Sequence, residues 1–325
     1  MTLIRMIFLS LFSLFILACE GEQAAGDASS SKPKVALIMK SLANEFFVNM
    51  AESAKSHHSK NPEIYDLIVN GIKNESDLAQ QVALVDQMIA MGVNAIVICP
   101  ADSKALVPAL ARAVNAGITV VNIDNRLDAQ VLAEFGLNIP FIGPSNRDGA
   151  KKVGDFVLKN YPIGTEVAIL EGIPTAYNSI ERRIGFELAA EEAGAKVVAL
   201  QSAQWDQTKA AQITSAILSQ NPNINVIFAA NDNMALGAAS AINMAQLDHE
   251  IALAGFDNIS AIRPLLQNGS IMATAEQYGD KFAVFGIEFA VKVLDGEPGS
   301  GDRQTPVDIV TAEGLLSERY GAEAE

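Results

Sequence analysis

The chain has 325 residues, half of them hydrophobic, which suits two lobes of roughly 100–150 residues with separate cores better than one small domain. Its formal charge is −15, from 23 Lys and Arg against 38 Asp and Glu. That balance excludes a protein that neutralises nucleic-acid phosphates through a basic face, and otherwise says only that the surface repels polyanions.

Residues 1–18 read as a secretion signal: Arg5 supplies positive charge, and residues 6–18 are almost unbroken apolar sequence, short for a membrane span. The segment ends on Ile16-Leu17-Ala18-Cys19, which resembles the lipobox of bacterial lipoproteins. The resemblance implies that Cys19 is diacylated and becomes the new N-terminus; secretion with simple cleavage is the alternative. Residues 19–33, rich in Gly, Ala, Ser and acidic residues, cannot bury enough apolar surface to fold and read as a flexible tether. Cys99, the other cysteine, sits in an apolar run and reads as a buried small hydrophobe, with no intramolecular disulfide once Cys19 is acylated.

From Lys34 onward short β-branched runs alternate with amphipathic stretches, the pattern of βαβ units that build parallel sheets. Strands are expected at 35–39, 95–99, 119–123, 166–170, 196–200, 225–229, 252–256 and 271–275. Leu78, Val82, Val85 and Ile89 recur at helical spacing, as do Leu106, Leu110 and Val114, and each set predicts one buried stripe. Gly92, Gly117 and Gly194 fall where helices should end. The fold class expected is α/β, with two doubly wound parallel sheets.

A weak internal echo links 94–125 with 225–258: each reads as strand, loop with Asp102 or Asp232, helix, and a closing strand followed by Asp124-Asn125 or Asp257-Asn258. Ligands of open α/β sheets bind beyond the carboxyl ends of the strands, so two facing lobes would each offer a carboxylate to the cleft between them. Turn-forming Asp-Asn pairs are the plainer reading.

No nucleophile elbow, phosphate loop or dinucleotide fingerprint stands at a strand-to-helix junction. Three histidines, His57, His58 and His249, lack metal-ligand spacing and read as surface residues, so neither cofactor nor metal is expected. Asp124 and Asp257 supply the residue types of a glycosidase pair, but nothing else supports that chemistry. Capture of a sugar needs a different set: carboxylates and amides for vicinal hydroxyls, an Arg fork, and aromatic rings for the C–H faces. Those types stand at predicted strand ends as Asn44, Phe46, Phe47, Asp124, Arg182, Trp205, Asn231, Asp257 and Gln277. Phe46 and Phe47 could equally be plain core.

Across residues 34–315 the chain resembles the ribose/allose/galactose group of type I periplasmic binding proteins. The likeness is carried in order by Lys40-Ser41-Leu42-Ala43-Asn44-Glu45-Phe46-Phe47, Asn122-Ile123-Asp124-Asn125, Glu181-Arg182-Arg183-Ile184-Gly185-Phe186, Ala203-Gln204-Trp205-Asp206, Ala230-Asn231-Asp232-Asn233-Met234-Ala235-Leu236-Gly237 and Gly255-Phe256-Asp257. The resemblance implies two similar lobes, 34–144 with 278–306 and 145–277 with 307–325, joined by three crossing strands near Ser145-Asn146, Gln277-Tyr278 and Pro306-Val307. It implies a ligand in the interlobe cleft, closure on binding, and contacts on the nine residues above.

Departures from the family pattern bear on specificity. Ribose binders carry Arg where this chain has Asn125, the expected contact at that position here, with Arg126 one step on, which turns the expectation from ribose toward a hexose or polyol. Lys40 and Glu75 match positions where allose-type binders place polar contacts, and Trp205 is also their aromatic choice. Glu45 replaces a common Pro; it could pair with Lys40 at the surface. The expected protein is the substrate-binding lipoprotein of a bacterial ABC sugar importer: periplasmic, lipid-anchored, monomeric, non-enzymatic, and docking on an inner-membrane permease. Presentation of the sugar to a chemoreceptor or membrane kinase would use the same fold. A sugar-responsive repressor would need a basic DNA-binding segment where residues 1–33 hold an apolar signal and an acidic linker.

Overall fold

The computed structural model describes residues 32–299 and 301–315. The secretion signal, Cys19 and all but the last two residues of the tether lie outside them, as does the end of the chain.

The first lobe runs β1 (Lys34–Ser41), α1 (Glu45–Lys60), β2 (Asp66–Ile72), α2 (Leu78–Ala90), β3 (Ala95–Ile98), α3 (Val107–Asn115), β4 (Thr119–Ile123), α4 (Ala129–Glu134) and β5 (Phe141–Pro144). The second runs α5 (Asn146–Leu158), β6 (Glu166–Glu171), α6 (Tyr177–Glu192), β7 (Lys196–Ser202), α7 (Gln207–Gln220), β8 (Val226–Ala229), α8 (Asp232–Ala245), β9 (Ala252–Ala254), a 3-10 turn over Ser260–Ile262, α9 (Arg263–Gln267) and β10 (Thr274–Glu276). The chain returns to the first lobe for α10 (Gly279–Leu294) and β11 (Arg303–Thr305), then to the second for β12 (Asp308–Val310). The chain thus leaves the elements of one sheet for those of the other between β5 and α5, between β10 and α10, and between β11 and β12.

The first sheet has the order β11-β5-β4-β3-β1-β2 and the second β7-β6-β8-β9, both parallel, while β10 and β12 form a small antiparallel pair. Side chains alternate across a strand, and β1 shows how that fills two cores. Val35, Leu37 and Met39 pack with Phe46, Phe47 and Phe282 on one face, whereas Ala36 and Ile38 pack with Val85, Met88 and Leu110 on the other. Each such fully buried side chain contributes about 1.5–3 kcal/mol. Helix α10 lies close on the first sheet because Gly286 has no side chain; a Cβ there would stand 2.6 Å from Val97 Cγ1.

The observed elements differ from expectation where local pattern is weak. Strand β2 was not expected: it is an edge strand, only part-buried along most of its length, and carries Asp66 and Asn70 in place of an apolar run. Strand β5, four residues ending Gly143-Pro144, was not expected either. The strand expected at 271–275 starts only at Thr274, and that at 252–256 ends at Ala254, just before the backbone leaves extended geometry at Asp257, with φ of +120°. In α3, Leu106, Leu110 and Ala113 are buried but Val114 is exposed on the flank. Leu78, Val82 and Ile89 of α2 are half-buried beside the fully buried Gln81, Val85 and Met88. Gly92, Gly117 and Gly194 each follow a last helical turn with φ of +62°, +81° and +67°, the left-handed ending that only Gly adopts without cost. The histidines are half-buried, not free surface groups: His57 Nδ1 lies 2.8 Å from the Tyr65 hydroxyl and His249 Nε2 lies 2.9 Å from the Ile224 carbonyl.

Candidate functional site

The carboxyl ends of the two sheets face each other across a nearly filled space whose free volume, about 10 Å³, has room for about one water.

On the first lobe, Asn44 caps α1: its Oδ1 accepts from Phe46 N at 3.1 Å, so its Nδ2 is a donor, held by Glu75 Oε1 at 3.1 Å. Lys40, at the end of β1, is 1% exposed and reaches Asp124 Oδ2 at 3.0 Å and Glu75 Oε2 at 3.9 Å. Burial would push the Lys40 ammonium down, but Asp124 and Glu75 outweigh it and hold it above the usual lysine value. Burial likewise raises the Glu75 carboxyl, against the pull of Lys40. The surface pair expected between Lys40 and Glu45 does not form; Lys40 is buried, and Glu45 Oε1 accepts from Ser260 N in the other lobe at 2.6 Å. Cys99 is buried as expected, yet it is more than a hydrophobe, since its thiol donates to Asp124 Oδ2 at 3.0 Å.

On the second lobe, Arg182 is the centre. Its Nε donates to Asn146 Oδ1 at 2.7 Å, Nη1 to the Ala230 carbonyl at 2.8 Å and Asp257 Oδ1 at 3.2 Å, and Nη2 to Gln277 Oε1 at 3.3 Å. Of the five guanidinium donors, one is left over. The Phe256 ring lies under the guanidinium, 3.8 Å from its centroid. Burial pushes the Asp257 carboxyl well above the usual carboxylate range, against the pull of Arg182. Asn231 caps α8 as Asn44 caps α1, Oδ1 accepting from Met234 N at 2.9 Å, and its Nδ2 has no partner among the described residues. Trp205 lies flat over Gly172, where a Cβ would stand 2.1 Å from the indole.

Three residues of this space, Asp124, Trp205 and Asp257, hold φ of +61°, +65° and +120°. Such backbone costs on the order of 1–3 kcal/mol per residue and gathers where side chains must be aimed at a ligand.

Of the twelve expected ligand residues, ten line the space: Lys40, Asn44, Phe46, Phe47, Glu75, Asp124, Arg182, Trp205, Asn231 and Asp257. Two stand behind it. Gln277 donates to Asp257 Oδ1 at 2.7 Å and accepts from Arg182. Asn125 is fully buried, bound through Nδ2 to the Pro100 carbonyl at 2.9 Å and through Oδ1 to Asn178 N of the other lobe at 3.2 Å. Phe46 and Phe47 line the space and also pack into the core, edge to face at 5.2 Å. Sequence reasoning missed Asn178, which lines the space with its buried Oδ1 unpartnered. The signal was its place one residue into α6, ahead of Arg182. Trp205 Nε1 is likewise buried and unpartnered. Among the described residues no cluster of His, Cys, Asp or Glu could hold a metal ion, and no helix is long and apolar enough to cross a membrane.

Residues 35–298 match the model of the periplasmic binding protein domain. The chain is 47% identical over 285 residues to the D-ribose/D-allose-binding protein of Pseudomonas aeruginosa, covering 86% of this chain and 89% of that protein. An ABC-transporter solute-binding protein of Burkholderia multivorans superposes with a TM-score of 0.84 at 49% identity, covering 87% of this chain and all of the other. Another from Actinobacillus succinogenes, solved with bound D-allose, superposes with a TM-score of 0.83 at 36% identity over 88% of this chain and all of the other. The extent of these matches, on a fold with two parallel-sheet lobes, means that the chain belongs to the periplasmic binding protein family and is a binding protein, not an enzyme.

Proposed function

We propose that this protein captures one neutral monosaccharide, an aldohexose of the D-allose type ahead of ribose or a cyclic polyol, in the cleft between its lobes and delivers it to an ABC permease. The observation that carries the reading is the pairing of charge inside the cleft. Both cations already face carboxylates, Lys40 with Asp124 at 3.0 Å and Glu75 at 3.9 Å, and Arg182 with Asp257 at 3.2 Å. An anionic ligand would add to three carboxylates set against two cations that already have partners, whereas a hydroxyl can accept from a cation and donate to a carboxylate at once. Unpartnered polar atoms on Asn178 and Trp205, and the rings of Phe46, Phe47 and Trp205, complete the set for hydroxyls and C–H faces.

The relative named for D-ribose and D-allose and the D-allose-bound structure support an aldose. Lys40, Asn44, Glu75 and Asp124 would contact it from one lobe and Asn178, Arg182, Asn231 and Asp257 from the other, with Gln277 and Asn125 holding contact residues in place. Family membership supports a periplasmic location, and the lipobox-like Ile16-Leu17-Ala18-Cys19 supports a lipid anchor on a monomer.

Trp205 is the sole tryptophan, so its fluorescence reports on the cleft. Titration with D-allose, D-ribose, D-galactose and myo-inositol, with thermal shift in parallel, should give a response strongest for D-allose. Silence across the panel in both measurements would sink the reading.

A further inference from the structure

We infer that Glu45, Ser103 and Asn125 are positioning residues for capture, holding the lobes shut on either flank of the ligand without touching it. The inference takes the cleft as the ligand site and extends to how the site stays closed. Helix α6 begins after Ala176, which has no side chain to cap it. Its first backbone donors are satisfied from the opposite lobe: Tyr177 N donates to Ser103 Oγ at 2.9 Å, and Asn178 N to Asn125 Oδ1 at 3.2 Å. Asn125 is held for this by its bond to the Pro100 carbonyl at 2.9 Å.

On the other flank, the 3-10 turn follows Ile259, again without a side-chain cap, and Ser260 N donates to Glu45 Oε1 at 2.6 Å across the cleft. In both places the second lobe's sequence omits a capping residue and the first lobe supplies the acceptor. These bonds exist only while the lobes are together, because each acceptor and its donor belong to different lobes. Opening hands the amides of Tyr177, Asn178 and Ser260 back to water, so the contacts favour the closed state and slow ligand release. The two departures from the family pattern, Asn125 and Glu45, thereby share one role.

The test uses Glu45→Ala and Ser103→Ala, both away from the ligand cavity. With D-allose as probe and Trp205 fluorescence in stopped flow, each variant should release sugar about tenfold faster, with association changed less than about threefold. Release at the wild-type rate overturns the inference. A second arm needs no sugar: amide exchange in the ligand-free protein. Loss of the Glu45 contact should lower protection of the Tyr177 and Asn178 amides on the far flank, and Ser103→Ala that of Ser260, because both sets form only on closure. If each substitution affects only its own flank, the contacts are local and the inference falls. Should D-allose not bind at all, the proposed ligand is wrong, and the exchange arm still decides the matter of closure.

Discussion

Arg182 Nε donates to Asn146 Oδ1 at 2.7 Å, and Asn146 is the first residue of α5, immediately after the chain crosses between the lobes at Ser145. Through Nη2 the same guanidinium meets Gln277, at the second crossing. The cation at the centre of the cleft is therefore tied to two of the three segments about which the lobes would move.

Arg182→Ala should cost the fold as well as the ligand. It strips Asp257, Asn146 and Gln277 of a buried partner at once, and breaking a buried pair by removing one member costs about 3–5 kcal/mol. Urea unfolding should show a loss of that order together with no measurable sugar binding. Asp257→Asn keeps an oxygen acceptor for Arg182 and Gln277 but removes the counter-charge, so it should destabilise less than Arg182→Ala while weakening binding more than tenfold. A stable Arg182→Ala variant would show that the network is not cooperative.

Gly172→Ala should act through Trp205. The new Cβ would stand 2.1 Å from Cε2 of the indole, so the ring must leave its seat. The expected result is a shifted tryptophan emission spectrum and sugar affinity reduced at least tenfold, with secondary structure by circular dichroism unchanged. An unshifted spectrum would mean that the strand yields and not the ring.

Asp232 predicts a pH dependence of stability. It is fully buried at the start of α8, and burial pushes its carboxyl up to about 7, against hydrogen bonds from the Thr274 hydroxyl at 2.7 Å and Ile259 N at 3.0 Å. The unfolded chain loses this proton near pH 4, the folded protein near 7, so between those values the folded state holds more protons. Stability must then fall as pH rises from about 4 to about 7 and level off above, by on the order of a few kcal/mol. Melting profiles of wild type and Asp232→Asn should converge at or below about pH 4 and separate progressively toward pH 8, the variant being the more stable there. Parallel profiles would show that Asp232 stays ionised throughout.

Cys99 should be unreactive in the folded protein. Burial pushes its thiol well above the usual value, and the nearby Asp124 carboxylate adds to this. Alkylation followed by peptide mapping should label Cys99 only in denaturant. Cys99→Ser, which keeps a donor to Asp124, should bind sugar within about threefold of wild type, and Cys99→Ala more weakly.

What the sequence by itself determined lies within single βα units. The apolar runs of β1, β3, β4, β6 and β8 announce buried parallel strands because both faces of each are covered, so nearly every residue must be apolar. Asn44 and Asn231 were legible as cleft residues because each stands just beyond a predicted strand; that they also cap α1 and α8 came from the structure. The βα alternation in turn put Asp124 and Asp257 beyond strand ends, while Arg182 stands in the second turn of α6. Only the tertiary structure decided the pairings within and between lobes: that Lys40 is buried against Asp124 inside the first lobe, that Asn125 faces Asn178 and Glu45 faces Ser260 across the cleft, and that Asn178 enters the cleft. Each is a pairing between residues separated by 53 to 215 positions, or by 84 for Lys40, and local periodicity carries no information about which side chain stands opposite. Edge strand β2 was hidden for a related reason, since its half-exposed faces relax the demand for apolar residues that makes a central strand legible.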